Sequence, residues 1–385
     1  MFAKRTDWSL AHNRLSQTLE NLRAHGQPFL DLTVSNPTEC GFSYDAPQIL
    51  PALSQPDALK YAPVPAGLRS AREAITAYYA EHRCEVSAND LFLTTGTSEA
   101  YSFVFRLLCD PGDEVLIPTP SYPLFDFLAD IQDVRLTRYP LHYDHGWFID
   151  FHALQQAITP RTRAIIVVHP NNPTGHYCSL QQTAQLNQLC TSRDLALIVD
   201  EVFLDFAHGE LRRASFASNS NVLTFTLSGL SKICGLPQMK LAWIALGGPE
   251  EKKTAARERI EVIADAYLSV STPIQLAAPA MLKTRHNLRR QVLDRTKTNL
   301  AELDRQLLQH KSCSRLACEG GWTAILRVPA TQSDEDLAVE LLTKAQVHVH
   351  PGHLYDFAAN GFLVVSLIVP PEIFAEGISR VLRFF

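Results

Sequence analysis

The stretch SGLSKICGLPQMKLAW, residues 228–243, decides how the chain is read. It places Lys232 between Ser231 and a Gly-Leu-Pro turn, directly after the apolar run VLTFTLS (222–228) and before LAWIAL (241–246). A flexible amine among residues that otherwise read as interior needs a chemical reason, because burying a charge without a partner is costly.

Working outward, further short apolar runs rich in β-branched residues occur at EVLIP (114–118), AIIVVHP (164–170) and LALIVDEV (195–202). Their hydrophobicity is continuous, as expected of strands buried on both faces. LQQTAQLNQLCTSR (180–193) keeps apolar residues at helical spacing between two of them. Strand, helix and strand in repetition predict a parallel sheet with helices on its faces, including LAWIAL among its strands. Beyond about Pro273 a long charged helical region runs to Gln309, followed by AILRV, VHVHP and FLVVSLIV as strands with one helix (334–345) among them. That composition predicts a smaller α+β domain. The expected division is 46–280 for the large domain, with 1–45 and 281–385 forming the small one.

Composition narrows the function classes. The chain has 385 residues, 46% of them hydrophobic, enough for a sizeable core. Lys and Arg number 35 against 40 Asp and Glu, with no basic block, so no nucleic-acid partner is expected. The opening MFAKRTDWSLAHNRLSQTLENLR lacks the apolar run of a signal peptide, and no stretch reaches membrane-spanning length. The eight cysteines contain no C-x-x-C pair and no zinc spacing, so no metal site is expected and they read as reduced thiols of a cytoplasmic protein.

In open parallel sheets, ligands bind beyond the carboxyl ends of the strands. Four polar signals fall in such places. TTGTSEA (94–100) leads from a strand-like LFLTT through Gly96 to Thr97 and Ser98 at the start of a helix whose apolar face is Tyr101, Val104, Phe105 and Leu108. Free N–H groups and the helix dipole there favour an anion, although an ordinary capped helix has the same pattern. Asn172 ends a buried strand in HPNNPTG, which is also turn chemistry. Asp200 closes the run LALIV and, unless it caps a helix or faces a surface turn, needs a cation or hydrogen-bond donors. Lys232 is the fourth. A phosphate cradle, an amide, a carboxylate and an imine-forming lysine are together what pyridoxal 5'-phosphate requires.

The series DLTVSNPT, YAPVPAGLRSAREAITAYY, TTGTSEA, PSYPLF, HPNNPTG, VDEVF, SGLSKICGLPQMKLAW and HPGHLYDF resembles the class I/II aminotransferase family of fold-type I pyridoxal-phosphate enzymes over nearly the whole chain. The resemblance implies an α/β fold with a large domain built on a mostly parallel sheet and a smaller α+β domain. It implies Lys232 as the Schiff-base lysine and proton shuttle, Asp200 on the pyridine nitrogen, Asn172 on the phenolic oxygen and Tyr122 stacked on the ring. Gly96, Thr97 and Ser98 would hold the phosphate, with Tyr61 reaching it from the neighbouring subunit of a homodimer. The activity implied is amino transfer between an amino donor and a 2-oxo acid acceptor. A lyase on the same scaffold is the alternative. A cofactor-sensing regulator would need a DNA-binding segment, and a nicotinamide dehydrogenase a G-x-G-x-x-G turn that follows no strand in this sequence.

Departures from the family pattern are equally informative. Phe203 stands where a tyrosine usually donates to the phenolic oxygen, and Gly229 stands where a serine is typical. Lys240 takes the place of a phosphate-binding arginine, with Ser228 or Ser231 as further candidate phosphate ligands. Aligned on Ser366, the strand GFLVVSLIVP has Val364 where relatives carry a carboxylate-binding arginine. Lys60, Arg69, His350 and His353 lie in segments that border the pocket in relatives.

Overall fold

The computed structural model describes residues 1–61, 63–209, 214–268 and 270–385. Among these, eight strands form a central sheet in the spatial order Leu91–Thr94, Ala242–Gly247, Thr224–Gly229, Ala196–Asp200, Thr162–Val168, Glu114–Thr119, Arg135–Tyr143 and Trp147–Ile149. The pairings from Thr224–Gly229 through to Arg135–Tyr143 are parallel. Ala242–Gly247 departs from the expected parallel arrangement and runs antiparallel to both neighbours. The cause is the short link before it, which carries only the four-residue helix Leu230–Ile233 and a 3-10 turn. A parallel return needs a crossover of a dozen residues or more.

Continuous hydrophobicity in the central strands has a direct explanation in the packing. Ile166 and Ile198 face one layer, with Tyr101, Val104 and Phe105 of the helix Thr97–Leu108 and Ile260 of Glu250–Tyr267. Their sequence neighbours Ile165 and Leu197 face the other layer, with Leu186 and Leu189 of Leu180–Arg193. Each such side chain contributes on the order of 1.5–3 kcal/mol by leaving water. Burial on both faces therefore favours apolar residues at successive positions.

The remaining strands form a smaller unit. Ser314–Arg315, Thr323–Arg327, Phe362–Ser366 and His350–Pro351 make an antiparallel sheet, and Leu30–Asp31 pairs with Val347–His348. Its core joins Leu326, Val365, Val347, Phe374 and Ile378 with Leu15 near the chain start and Leu303. The helix Thr272–Leu307 spans 36 residues and contributes Met281 to a cluster under the central sheet and Leu303 to this second core. Residue 280, the expected boundary, lies inside that helix, so the division into 46–280 and the remainder stands as a proposal about which parts move as units. No helix among the described residues is long and apolar enough to cross a membrane.

Candidate functional site

Parallel pairing aligns Val168, Asp200 and Leu227 at the carboxyl ends of three adjacent strands. A cavity of ≈ 280 Å³ opens there, and its lining includes Thr97, Ser98, Tyr122, Asn172, Asp200, Phe203, Ser231 and Lys232. All of these residues are singled out by the sequence, and the fold brings them together.

Asp200 ends its strand and accepts hydrogen bonds from the Val202 N–H and the Tyr101 hydroxyl, both at 3.1 Å. Burial pushes its carboxyl up to about 6, against the opposing pull of those two donors and of Lys232. The sequence predicts Tyr101 only as part of an apolar helix face; it is buried as expected, and its hydroxyl reaches across to the carboxylate. A lone hydroxyl on an otherwise apolar face is the available signal, since a buried tyrosine O–H needs an acceptor.

Lys232 follows the strand Thr224–Gly229 in the single turn Leu230–Ile233. Its Nζ stands 5.1 Å from the Trp322 ring centroid and 5.6 Å from that of Phe203, two rings packed edge to face. Burial lowers the ammonium's affinity for its proton, and the Asp200 charge opposes that effect. Sequence reasoning misses Trp322 because nothing in GGWT separates a cavity-lining tryptophan from a core one. Gly229 is extended, and a Cβ there would meet Cβ of Ala242 at 2.8 Å. A serine side chain there would require the paired strand at Ala242 to shift.

The opposite end of the cavity is an uncapped helix start. Gly96 is the N-cap of Thr97–Leu108 and no side chain caps it, which leaves N–H groups of the first turn available to an anion. Lys240 Nζ lies 3.8 Å from the position a Gly96 Cβ would take, so its ammonium stands beside this turn although it does not line the cavity. Ser228 is fully buried, its hydroxyl without a partner, and away from the lining. Tyr61 is 76% exposed and lies outside the cavity of its own chain.

The small sheet closes the remaining side. Thr323 Oγ1 donates to the Pro173 carbonyl at 3.0 Å, and Val364, Ser366, Tyr355 and His350 complete the wall. Of the cationic candidates Lys60, Arg69, His350 and His353, only His350 lines it. Lys60 pairs with Asp57 and Arg69 with Glu73, each at 2.7 Å, and His353 is exposed. An amine, a half-buried carboxylate, an amide and an anion-binding helix start around one cavity form a donor set that fits pyridoxal 5'-phosphate.

Fold and site together define a protein of the aminotransferase type. The chain belongs to the class I and II aminotransferase family, which it matches over residues 29–378. It is 31% identical to glutamate-pyruvate aminotransferase AlaA of Escherichia coli over 268 residues, covering 68% of this chain and 65% of that protein. It is 28% identical to the alanine aminotransferase of Mycobacterium tuberculosis over 381 residues, 96% of this chain and 88% of the relative. Among solved structures, the alanine aminotransferase of Pyrococcus furiosus superposes with a TM-score of 0.91 at 24% identity, covering 100% of this chain and 99% of that one. That likeness establishes the fold.

Proposed function

We propose that the chain is a pyridoxal-phosphate-dependent aminotransferase that moves an amino group between an amino acid or related amine and a 2-oxo acid. The observation that carries this reading is the placement of Lys232 and Asp200, both half-buried and both lining one cavity, with the uncapped helix start of Thr97–Leu108 on the same lining. The similarity to proteins named alanine and glutamate-pyruvate aminotransferases supports it.

Thr97, Ser98 and the first-turn N–H groups would hold the phosphate, with Lys240 adding charge beside them. Asp200 would pair with the ring nitrogen, Asn172 would donate to the phenolic oxygen, and Tyr122 would cover the ring face. When bound, the cofactor supplies an aldehyde that condenses with amines and a ring that takes up the electron pair left when Cα loses its proton. Lys232 Nζ would take that proton and return it one carbon away, a role favoured by desolvation, which weakens the ammonium's hold on its proton. Tyr101 and the Val202 N–H fix the Asp200 carboxylate so that it needs no reorganisation as charge develops.

Tyr61, exposed on its own chain, would complete the phosphate site of a second subunit in a homodimer. The eight cysteines are all free, which supports a reducing, cytoplasmic setting. The test is to load the protein with the cofactor, treat it with borohydride and map the adduct, which is expected at Lys232. Mixing the loaded protein with an amino donor should then yield pyridoxamine phosphate and an oxo acid. Release of ammonia and pyruvate instead would assign a lyase, and a colourless protein with no adduct would end the reading.

A further inference from the structure

The large sheet contributes the amine at the centre of the site, and two aromatic rings from elsewhere in the chain stand against it. Lys232 Nζ lies over the Trp322 indole, 5.1 Å from its centroid, and over the Phe203 ring at 5.6 Å. A ring face attracts a cation within about 6 Å, and indole does so most strongly. Trp322 immediately precedes the small-sheet strand Thr323–Arg327, whereas Phe203 lies in the segment after Asp200. The indole is firmly held. Its ring meets those of Phe203 and Phe206 edge to face, with centroids 5.2 and 5.0 Å apart, in a cluster with Leu288 and Val292 of the long helix and Ile368. Its backbone carbonyl accepts from the Leu367 N–H at 2.7 Å, and the Gly321 N–H before it donates to the Phe206 carbonyl at 2.9 Å.

Desolvation works against the Lys232 ammonium, and the Asp200 charge works for it. The ring faces add a second attraction, felt by the ammonium and not by the neutral amine, and they add it without a hydrogen bond that must break before the amine reacts. Around the same cavity, burial raises the phenols of Tyr101, Tyr122 and Tyr355 above the usual tyrosine value. Burial, with His348 nearby, lowers the His350 imidazole to about 4, and burial raises the Asp200 carboxyl to about 6. From about pH 7 to 10, Lys232 is therefore the group that changes charge among these titratable lining residues.

Resting on the aminotransferase reading, we propose that Trp322 is a positioning residue for Lys232: its indole, with the ring of Phe203, holds the ammonium in place by cation–π attraction whenever that amine is not joined to the cofactor. The lysine must then carry a proton between two carbons, and a flexible stem does this efficiently only if its end is kept within reach of both. Because Trp322 comes from the small-sheet side and Lys232 from the large sheet, seating the one against the other also places the amine.

Competitive acetylation of the full cofactor-free chain over this pH range, read at the Lys232 peptide by mass spectrometry, measures the fraction of neutral amine. Trp322→Leu withdraws an attraction that only the ammonium feels and should lower the labelling midpoint by about one pH unit. Trp322→Phe keeps a ring face and should stay within about half a unit of the unsubstituted protein. A midpoint that is unchanged or raised in W322L, or that falls as far in W322F, overturns the proposal, since lost packing alone would not separate the two. If W322L does not fold, Phe203→Leu reads the contact from the second ring; a fall of about half a unit is expected, and no fall overturns the proposal. Tryptophan emission gives a second readout: it should change across the Lys232 midpoint and lose that step in Lys232→Met. A step that persists in K232M, or that is missing from the unsubstituted protein, counts against the contact. If borohydride leaves no cofactor adduct at Lys232 while the labelling order holds, the aminotransferase reading fails and the aromatic cradle stands.

Discussion

Replacing Asp200 by asparagine is expected to stabilise the cofactor-free chain at neutral pH. In the folded state burial carries the Asp200 carboxyl from an ordinary 3.8 to about 6. Below 3.8 the side chain is protonated whether folded or not, and it costs nothing. Between 3.8 and 6 the unfolded chain releases the proton while the folded one retains it, so stability falls as pH rises; above 6 the loss is complete and constant. The full difference corresponds to about 3 kcal/mol. The uncharged amide of D200N would escape it, apart from a pH-independent offset of about 1 kcal/mol from altered bonding to Tyr101 and the Val202 N–H. Urea unfolding of both cofactor-free proteins from about pH 4.5 to 8 measures the difference, which should widen up to about pH 6 and then level off. A difference that stays flat across this range would refute the reasoning, because it would mean that the carboxyl keeps its ordinary proton affinity in the folded chain. Cofactor-loaded D200N should nonetheless lose most of its activity, placing stability and function in opposition at one atom.

Gly229→Ser, which restores the family's usual residue, should destabilise by about 1–3 kcal/mol in the same assay, because the new Cβ collides with Ala242 across the sheet. Phe203→Tyr adds a hydroxyl beside the reacting lysine and should move the visible chromophore's titration to lower pH by about one unit, read by absorbance; an unchanged or raised midpoint would remove that role for position 203. Lys232→Ala and Tyr61→Ala proteins should each be impaired alone, yet regain activity when unfolded and refolded together, since one site in a hybrid dimer would be intact. Absence of recovery in verified hybrids would remove Tyr61 from the partner's site.

The strands Thr162–Val168 and Ala196–Asp200 are legible because two-sided burial writes itself as unbroken apolar sequence, and the polar residue ending such a run marks the edge where ligands bind. Asp200, Asn172 and Lys232 can be found for that reason. The antiparallel course of Ala242–Gly247 is hidden because hydrophobicity records burial and not direction; the shortness of the preceding link is the cue that carries it. Tyr101 and Trp322 escape notice because a side chain that serves a site through one edge of its ring is apolar by every other measure. Lys240 illustrates the converse: its identity points to the phosphate, and the fold sets it beside the Gly96 turn and outside the cavity lining.

The 36-residue helix Thr272–Leu307 extends for about 54 Å and seats its two ends in different cores. Such a shaft transmits angle as well as position: inserting one residue at its middle would turn everything beyond by about 100° and swing Leu303 out of its socket. Evolution can lengthen the loops around it residue by residue, but this helix tolerates change only in near-whole turns, and the wall bearing Val364 inherits that constraint.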